Sequence, residues 1–265
     1  MPQSIAIDRS KQSTDTWKSL LLKIVIVLLA IFLVFELAFY LVIIPTTSVV
    51  RITVSGAPSI GYDEICYMAN ISGKEKWLDF NAAIVSSRLA ANPLFESVAV
   101  EKKFPDRVVI NLQERTPVAI AFGEKKGRTV PVEIDKNGIA FRVGHIPADS
   151  HLPILTGLTF EEVIPGMRLH AQLKPLLTQL HHIESKNPAL LSSISEIKID
   201  QKTYGGYDLV MYPVNNQIRV RTDKALNEES LQYMMLVLDV VQDLALDIEE
   251  IDIRAGTAAY RLKHN

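Results

Sequence analysis

The sequence predicts a membrane-anchored α+β protein. One N-terminal transmembrane helix precedes a small domain of order β-α-α-β-β, and a mainly antiparallel β-domain with flanking helices follows. Three observations carry this. Residues 20–44 form an almost unbroken apolar run. Residues 46–117 hold apolar runs of period two around two short helical stripes. From residue 118 to 265, short apolar runs separated by turn dipeptides recur, interrupted by two longer helical stripes. Residues 1–19 are then a cytoplasmic tail.

The membrane segment is decided by its sum. Leu, Ile, Val and Phe fill 20 of the 25 positions, contributing roughly −6 to −12 kcal/mol towards insertion, and about 25 residues span the ~30 Å hydrocarbon core with room for tilt. Lys23 and Glu36 are its only charges, and at about 3 kcal/mol each at most they do not reverse that sum. No A-x-A-like cleavage site follows, so the run reads as an uncleaved anchor. Arg9, Lys11, Lys18 and Lys23 crowd its N-terminal side against Arg51 on the other. That asymmetry places the N-terminus in the cytoplasm and the rest outside the cytoplasmic membrane. Glu36, inside the run, suits either a polar contact with another membrane helix or a solvated carboxyl near the interface.

In the first external domain, Val50, Ile52 and Val54 alternate with Arg51 and Thr53 before Ser55-Gly56, a half-buried strand entering a turn. Tyr62, Ile65, Met68 and Ala69 share one face of a helix whose first turn holds Asp63 and Glu64, which suits the positive end of its dipole. Asn81 caps a second helix with Val85 and Leu89 inward. Residues 95–104 and 107–114 read as strands joined by a tight turn at Pro105-Asp106.

In the second domain, Asn137-Gly138 between the apolar runs 130–134 and 139–143 is a hairpin signal. Leu173, Leu176, Leu177 and Leu180 form a helical stripe, and Ile197, Ile199, Leu209, Met211, Ile218 and Val220 mark three strands of a meander. Asn227 caps a last helix carrying Leu231, Met234, Met235, Leu238 and Val241. Residues 248–254 and 258–263 close the chain around a turn at Ala255-Gly256-Thr257.

Charge and chemistry exclude more than they propose. With 28 basic and 30 acidic residues, the net charge of −2 gives no field to attract nucleic acid. Cys66 is the lone cysteine and reads as a small buried hydrophobe. No nucleophile elbow, zinc-protease pair or phosphate loop occurs. His181 and His182 point about 100° apart on a helix and do not readily share a metal. The pairs Glu161/Glu162, Glu228/Glu229 and Glu249/Glu250 are sequence neighbours and read as solvated or capping charges. No catalytic residue, metal or cofactor is expected.

Several phrases in order resemble one family. Val54-Ser55-Gly56, Asn92-Pro93-Leu94-Phe95-Glu96-Ser97-Val98, Phe104-Pro105-Asp106 and Glu114-Arg115-Thr116-Pro117-Val118-Ala119, placed just after a single anchor, resemble the POTRA domain of the bacterial cell-division proteins FtsQ and DivIB. Leu152-Pro153-Ile154-Leu155-Thr156-Gly157 and Ile251-Asp252-Ile253-Arg254 are similar to later parts of the same family, although Ala255 replaces the usual aromatic residue.

The resemblance implies a non-enzymatic scaffold at the division septum. It would bind the single-pass partners FtsB (DivIC) and FtsL through a strand added to the edge of the β-domain's last strand. On this chain that edge is residues 258–263: Ala258, Tyr260, Arg261, Leu262 and Lys263, with Asp252 and Arg254 as rim charges on the preceding strand. The alternative for Tyr260 and Leu262 is packing into their own domain. Proline at Arg261 is expected to remove a ladder donor and abolish partner binding. A POTRA-containing envelope-assembly protein and an anchored cell-wall enzyme are the competing functional classes.

Overall fold

In a computed structural model, the described residues are 10–44, 48–145, 151–160, 162–224, 226–244, 247–254 and 256–263. They divide into two units, Met1–Leu89 with Val98–Leu112, and Ala90–Ser97 with Gln113–Asn265.

The first unit opens on helix α1 (Ser10–Ala38), which continues as a π-helical turn over Phe39–Ile43. Within it, Trp17–Ile43 is long and apolar enough to cross a bilayer, and none of that stretch is buried by the rest of the protein. Helix begins well before the apolar run, because helix formation does not require apolar residues and the span only sets where lipid begins.

After the anchor come β1 (Arg51–Ser55), α2 (Tyr62–Ala69), α3 (Ala82–Ala90), β2 (Phe95–Lys103) and β3 (Arg107–Glu114). This is the expected β-α-α-β-β order. The sheet runs β1-β3-β2, with β1 parallel to β3. Parallel pairing needs a crossover, which α2 and α3 supply.

Asn81 caps α3 by accepting from the Ile84 N–H at 3.1 Å, as its position before the apolar stripe predicts. Ile65, Ala69, Val85, Leu89, Val108 and Ile110 are buried. Tyr62, expected inward, is half exposed at the first position of its helix. Cys66 is half-buried. Gly56 sits at φ +86°, where a Cβ would lie 1.8 Å from the Leu112 carbonyl oxygen, which explains the glycine of Val-Ser-Gly.

The second unit is one ten-stranded sheet: β4 (Pro117–Lys125), β5 (Arg128–Asp135), β6 (Ile139–Val143), β7 (Ile154–Thr156), β8 (Met167–Arg168), β9 (Ile194–Gln201), β10 (Tyr207–Pro213), β11 (Arg219–Thr222), β12 (Ile248–Asp252) and β13 (Ala259–Leu262). Their spatial order is β13-β12-β11-β10-β9-β7-β4-β5-β6-β8. Helices α4 (Lys174–Lys186), α5 (Pro188–Ser192) and α6 (Glu228–Asp243) complete the unit. The expected meander is present as β9, β10 and β11. The junctions β4/β7, β7/β9 and β11/β12 are parallel. Each joins strands whose connection is a crossover rather than a hairpin, and α4 with α5 and α6 supply the last two.

The core lies between this sheet and its helices. Leu176, Leu177, Leu180 and Ile183 of α4, Leu191 of α5, and Leu231, Met234 and Leu238 of α6 meet Ile197, Leu209, Met211 and Val220 of the strands. Each fully buried Leu or Ile is worth about 1.5–3 kcal/mol. The α6 cap is reciprocal: Asn227 Oδ1 accepts from the Ser230 N–H at 2.7 Å, and Ser230 Oγ accepts from the Asn227 N–H at 3.0 Å.

The Glu-Arg-Thr-Pro phrase has a structural job in this unit. Arg115 donates to the Pro93 carbonyl at 2.9 Å and pairs with the buried Asp135 at 2.5 Å. Asp135 Oδ1 also accepts from the N–H groups of Asn137 and Ile139, closing the hairpin that Asn-Gly announces.

Candidate partner-binding edge

Strand β13 terminates the ten-stranded sheet and, among the described residues, has β12 as its single neighbour. Its register is Ile248↔Leu262, Glu250↔Arg261, Ile251↔Tyr260 and Asp252↔Ala259, with a bulge between Ile248 and Glu250. Ile248 and Ile251 are buried in the core, so Tyr260 and Leu262 extend that apolar face outward. They are not packed into the domain: Tyr260 is 62% and Leu262 54% exposed. Tyr233 and Leu236 of α6, with Ile253, Arg254 and Gly256, line an adjacent cleft of about 660 Å³.

Backbone direction can be read from one bond. The Lys263 N–H donates to the Asp247 carbonyl at 3.0 Å, towards β12. Successive residues of a strand point their backbone groups to opposite sides, so Arg261 and Ala259 also face β12, whereas Tyr260 and Leu262 present theirs at the open edge. Proline at Arg261 therefore cuts the ladder inside the domain, not the outward one. The outward donors lie one residue away, at Tyr260 and Leu262.

On the opposite face a charge network crosses from β9 to β13. Glu250 is buried and receives Arg219 at 2.7 Å, Arg221 at 3.4 Å and Arg261 at 3.8 Å. Arg219 also reaches Glu249, and Arg221 reaches Asp200, each at 2.6 Å. Lys263 pairs with Asp247 at 3.0 Å. One carboxylate shared among three guanidiniums leaves the outermost, Arg261, with the longest pairing and a side chain 61% exposed.

Asp252 and Arg254 do not stand ready at the rim. Arg254 lies in the turn after β12, not on that strand. Its guanidinium and backbone N–H both donate to Asp252, and it reaches Asp208 on β10 at 2.6 Å, where Lys202 also pairs at 2.6 Å. Hydrogen bonding from Arg254 holds the Asp252 carboxyl below its ordinary range. Burial would raise Asp208, but the bonds from Lys202 and Arg254 overcome it and lower it as well. Both acids are satisfied within the domain.

Ala258 precedes β13 rather than belonging to it, and Lys263 follows it. Glu36 lies far from this edge in sequence, on α1 within Trp17–Ile43, with its side chain exposed. Glu161 and Ala255 lie outside the described residues. Glu250, expected as a solvated or capping charge, is instead buried among Arg219, Arg221 and Arg261, because β12 lies inside the sheet between β11 and β13. Asp208 and Lys202 carry no local signal in the sequence, although the alternation Arg219-Val220-Arg221 signals a strand with an arginine-bearing face. Among the described residues, no three His, Cys, Asp or Glu side chains converge as metal ligands.

Residues 47–115 match the family model described as POTRA domain, FtsQ-type. Similar proteins include the cell division protein FtsQ of Syntrophotalea carbinolica, 25% identical over 154 residues that cover 58% of this chain and 53% of that protein. FtsQ of Geobacter sp. strain M21 is 24% identical over 204 residues, 76% of this chain and 71% of its own. Cell division protein DivIB of Solibacillus silvestris is 25% identical over 219 residues, 81% of this chain and 69% of its own. The match thus spans about half the length of the first relative and about seven tenths of the other two.

Proposed function

We propose that this chain, which belongs to the FtsQ/DivIB family of cell-division proteins, is a non-enzymatic scaffold of the division complex that binds a partner strand along β13. The partners are single-pass division proteins of the FtsB/DivIC and FtsL kinds. Its N-terminus is cytoplasmic, both domains are extracytoplasmic, and it works at the septum.

The observation that carries this reading is the open edge of β13, with Tyr260 and Leu262 exposed beside it. An unpaired edge is a template for another strand: backbone bonds give affinity, and alternate side chains give selectivity. The partner's apolar residues would meet Tyr260 and Leu262, and an acidic residue would meet Arg261 on the other face. The edge is also short and bears Arg261 and Lys263, which limits indiscriminate pairing. Glu36 is a second, independent contact, made to a partner's membrane helix.

The test is twofold. A fluorescent fusion should collect at mid-cell, and Leu262→Pro should abolish co-purification of the FtsB-like partner while the domain stays folded. Uniform envelope staining or retained binding would overturn the reading.

A further inference from the structure

The outer end of the span and one end of the POTRA domain share an aromatic cluster. Tyr40 lies in the apolar stretch Trp17–Ile43, three residues from its end and therefore about 5 Å short of the end of the apolar helix. Its ring meets that of Phe104, at the turn between β2 and β3, edge to face at 5.3 Å. Phe104 meets Trp77 in the same manner at 5.9 Å. A residue touching Tyr40 shares its depth, which is where the acyl chains give way to headgroups.

The cluster is held firmly. Lys102 lies 4.5 Å from the centre of the Trp77 ring and donates to the carbonyls of Leu78 and Phe80. Trp77 Nε1 donates to the Arg107 carbonyl at 3.1 Å, and its backbone N–H to that of Ser48. Around this support, Leu78 is 51% and Phe104 43% exposed. Apolar exposure so close to a bilayer-spanning segment has an obvious solvent, and it is lipid. Cations flank it: Lys103 and Arg107 are exposed, and Arg51 keeps most of its side chain in solvent while pairing with the buried Asp106. Lys103 approaches Glu101 at 4.0 Å.

We propose that this end of the POTRA domain is seated in the outer headgroup layer, with Trp77, Leu78 and Phe104 inserted at the interface and Lys103, Arg107 and Arg51 on the phosphates of anionic phospholipids. The surface is continuous with the span, its aromatics suit the interfacial belt, and its charges are complementary to such lipids. The inference rests on α1 spanning the membrane, and it fixes the attitude of the POTRA domain to the bilayer.

The chain has two tryptophans, Trp17 and Trp77, so full-length Trp17→Phe protein reports Trp77 alone. It is reconstituted into phosphatidylcholine vesicles with and without phosphatidylglycerol, carrying nitroxide quenchers at shallow or deep acyl positions. Flotation with the vesicles tests the span; protein that stays in solution overturns the span and this inference together. In floated protein, shallow quenchers should remove at least about half of the Trp77 emission, and deep ones much less. Added Lys103→Glu and Arg107→Glu should weaken shallow quenching about twofold with phosphatidylglycerol and leave it unchanged in phosphatidylcholine. Floated protein whose Trp77 is quenched by aqueous iodide and not by lipid would overturn the seating while leaving the span intact. Charge reversal without effect in either lipid would overturn the role of anionic phosphates.

Discussion

Arg254, two residues beyond the end of β12, donates to the Asp208 carboxylate on β10 at 2.6 Å, reaching past β11 to do so. It clamps the turn that launches β13 to the body of the sheet. Arg254→Ala leaves the nearly buried Asp208 with Lys202 alone, which costs about 1 kcal/mol and lowers Tm by about 2–4 °C. Because both Asp208 and Asp252 titrate below their ordinary range, the stability they confer is present above the unfolded carboxylate pKa and is lost as pH falls through the folded one. Thermal melts between about pH 3 and 7 should therefore show the variant's deficit at its largest near pH 7 and shrinking towards pH 3, where the wild-type carboxylates also protonate.

Proline scanning of β13 should separate its two sides. Leu262→Pro removes an outward N–H and is expected to weaken partner binding about tenfold or more with little change in Tm. Arg261→Pro cuts the ladder to β12 opposite Glu250 and should lower Tm. Titration calorimetry and circular dichroism on the two variants distinguish them.

Glu133 is fully buried on β5, with Oε1 unpartnered while Oε2 accepts from Arg142 at 3.3 Å. Burial raises its pKa against the opposing charges of Arg142 and His145, with Glu114 adding to the rise. A carboxyl raised on folding favours the fold below its unfolded pKa and loses that contribution as pH rises through the folded value. Glu133→Gln should thus raise Tm at pH 8, with the gain shrinking towards pH 4, as read by differential scanning calorimetry.

Gly157 of the Leu-Pro-Ile-Leu-Thr-Gly phrase sits at φ +76°, and a Cβ there would lie 2.2 Å from the Ile199 carbonyl oxygen. Gly157→Ala combines backbone strain with a collision and should cost more than about 1 kcal/mol. Gly127, at φ +73° with nothing within 4 Å, carries the strain alone, so Gly127→Ala should cost less in the same melt.

Much of the fold was legible because its signals are local. The β1 alternation, the Asn81 and Asn227 caps and the Asn137-Gly138 hairpin each act over a few residues, and each forms as read. What was illegible acts at long range. Strand β4 was hidden because its run Val118, Ala119, Ile120 and Ala121 is buried without alternation, and β8 because it has two residues. The parallel junctions follow from crossovers that periodicity does not reveal. At the edge, the sequence marks a terminal strand but leaves open whether Tyr260 and Leu262 pack inward, and it does not reveal the inward use of Arg254, whose partner Asp208 is 46 residues away.

A partner strand added along the open side of β13 would take up its outward amides. Hydrogen–deuterium exchange of the full chain, with and without the soluble domain of its FtsB-like partner, tests it most directly. The amides of Tyr260 and Leu262 should exchange fast alone and gain strong protection on binding, while those of Arg261 and Lys263 are already protected. Partner binding that leaves Tyr260 and Leu262 in fast exchange would contradict it.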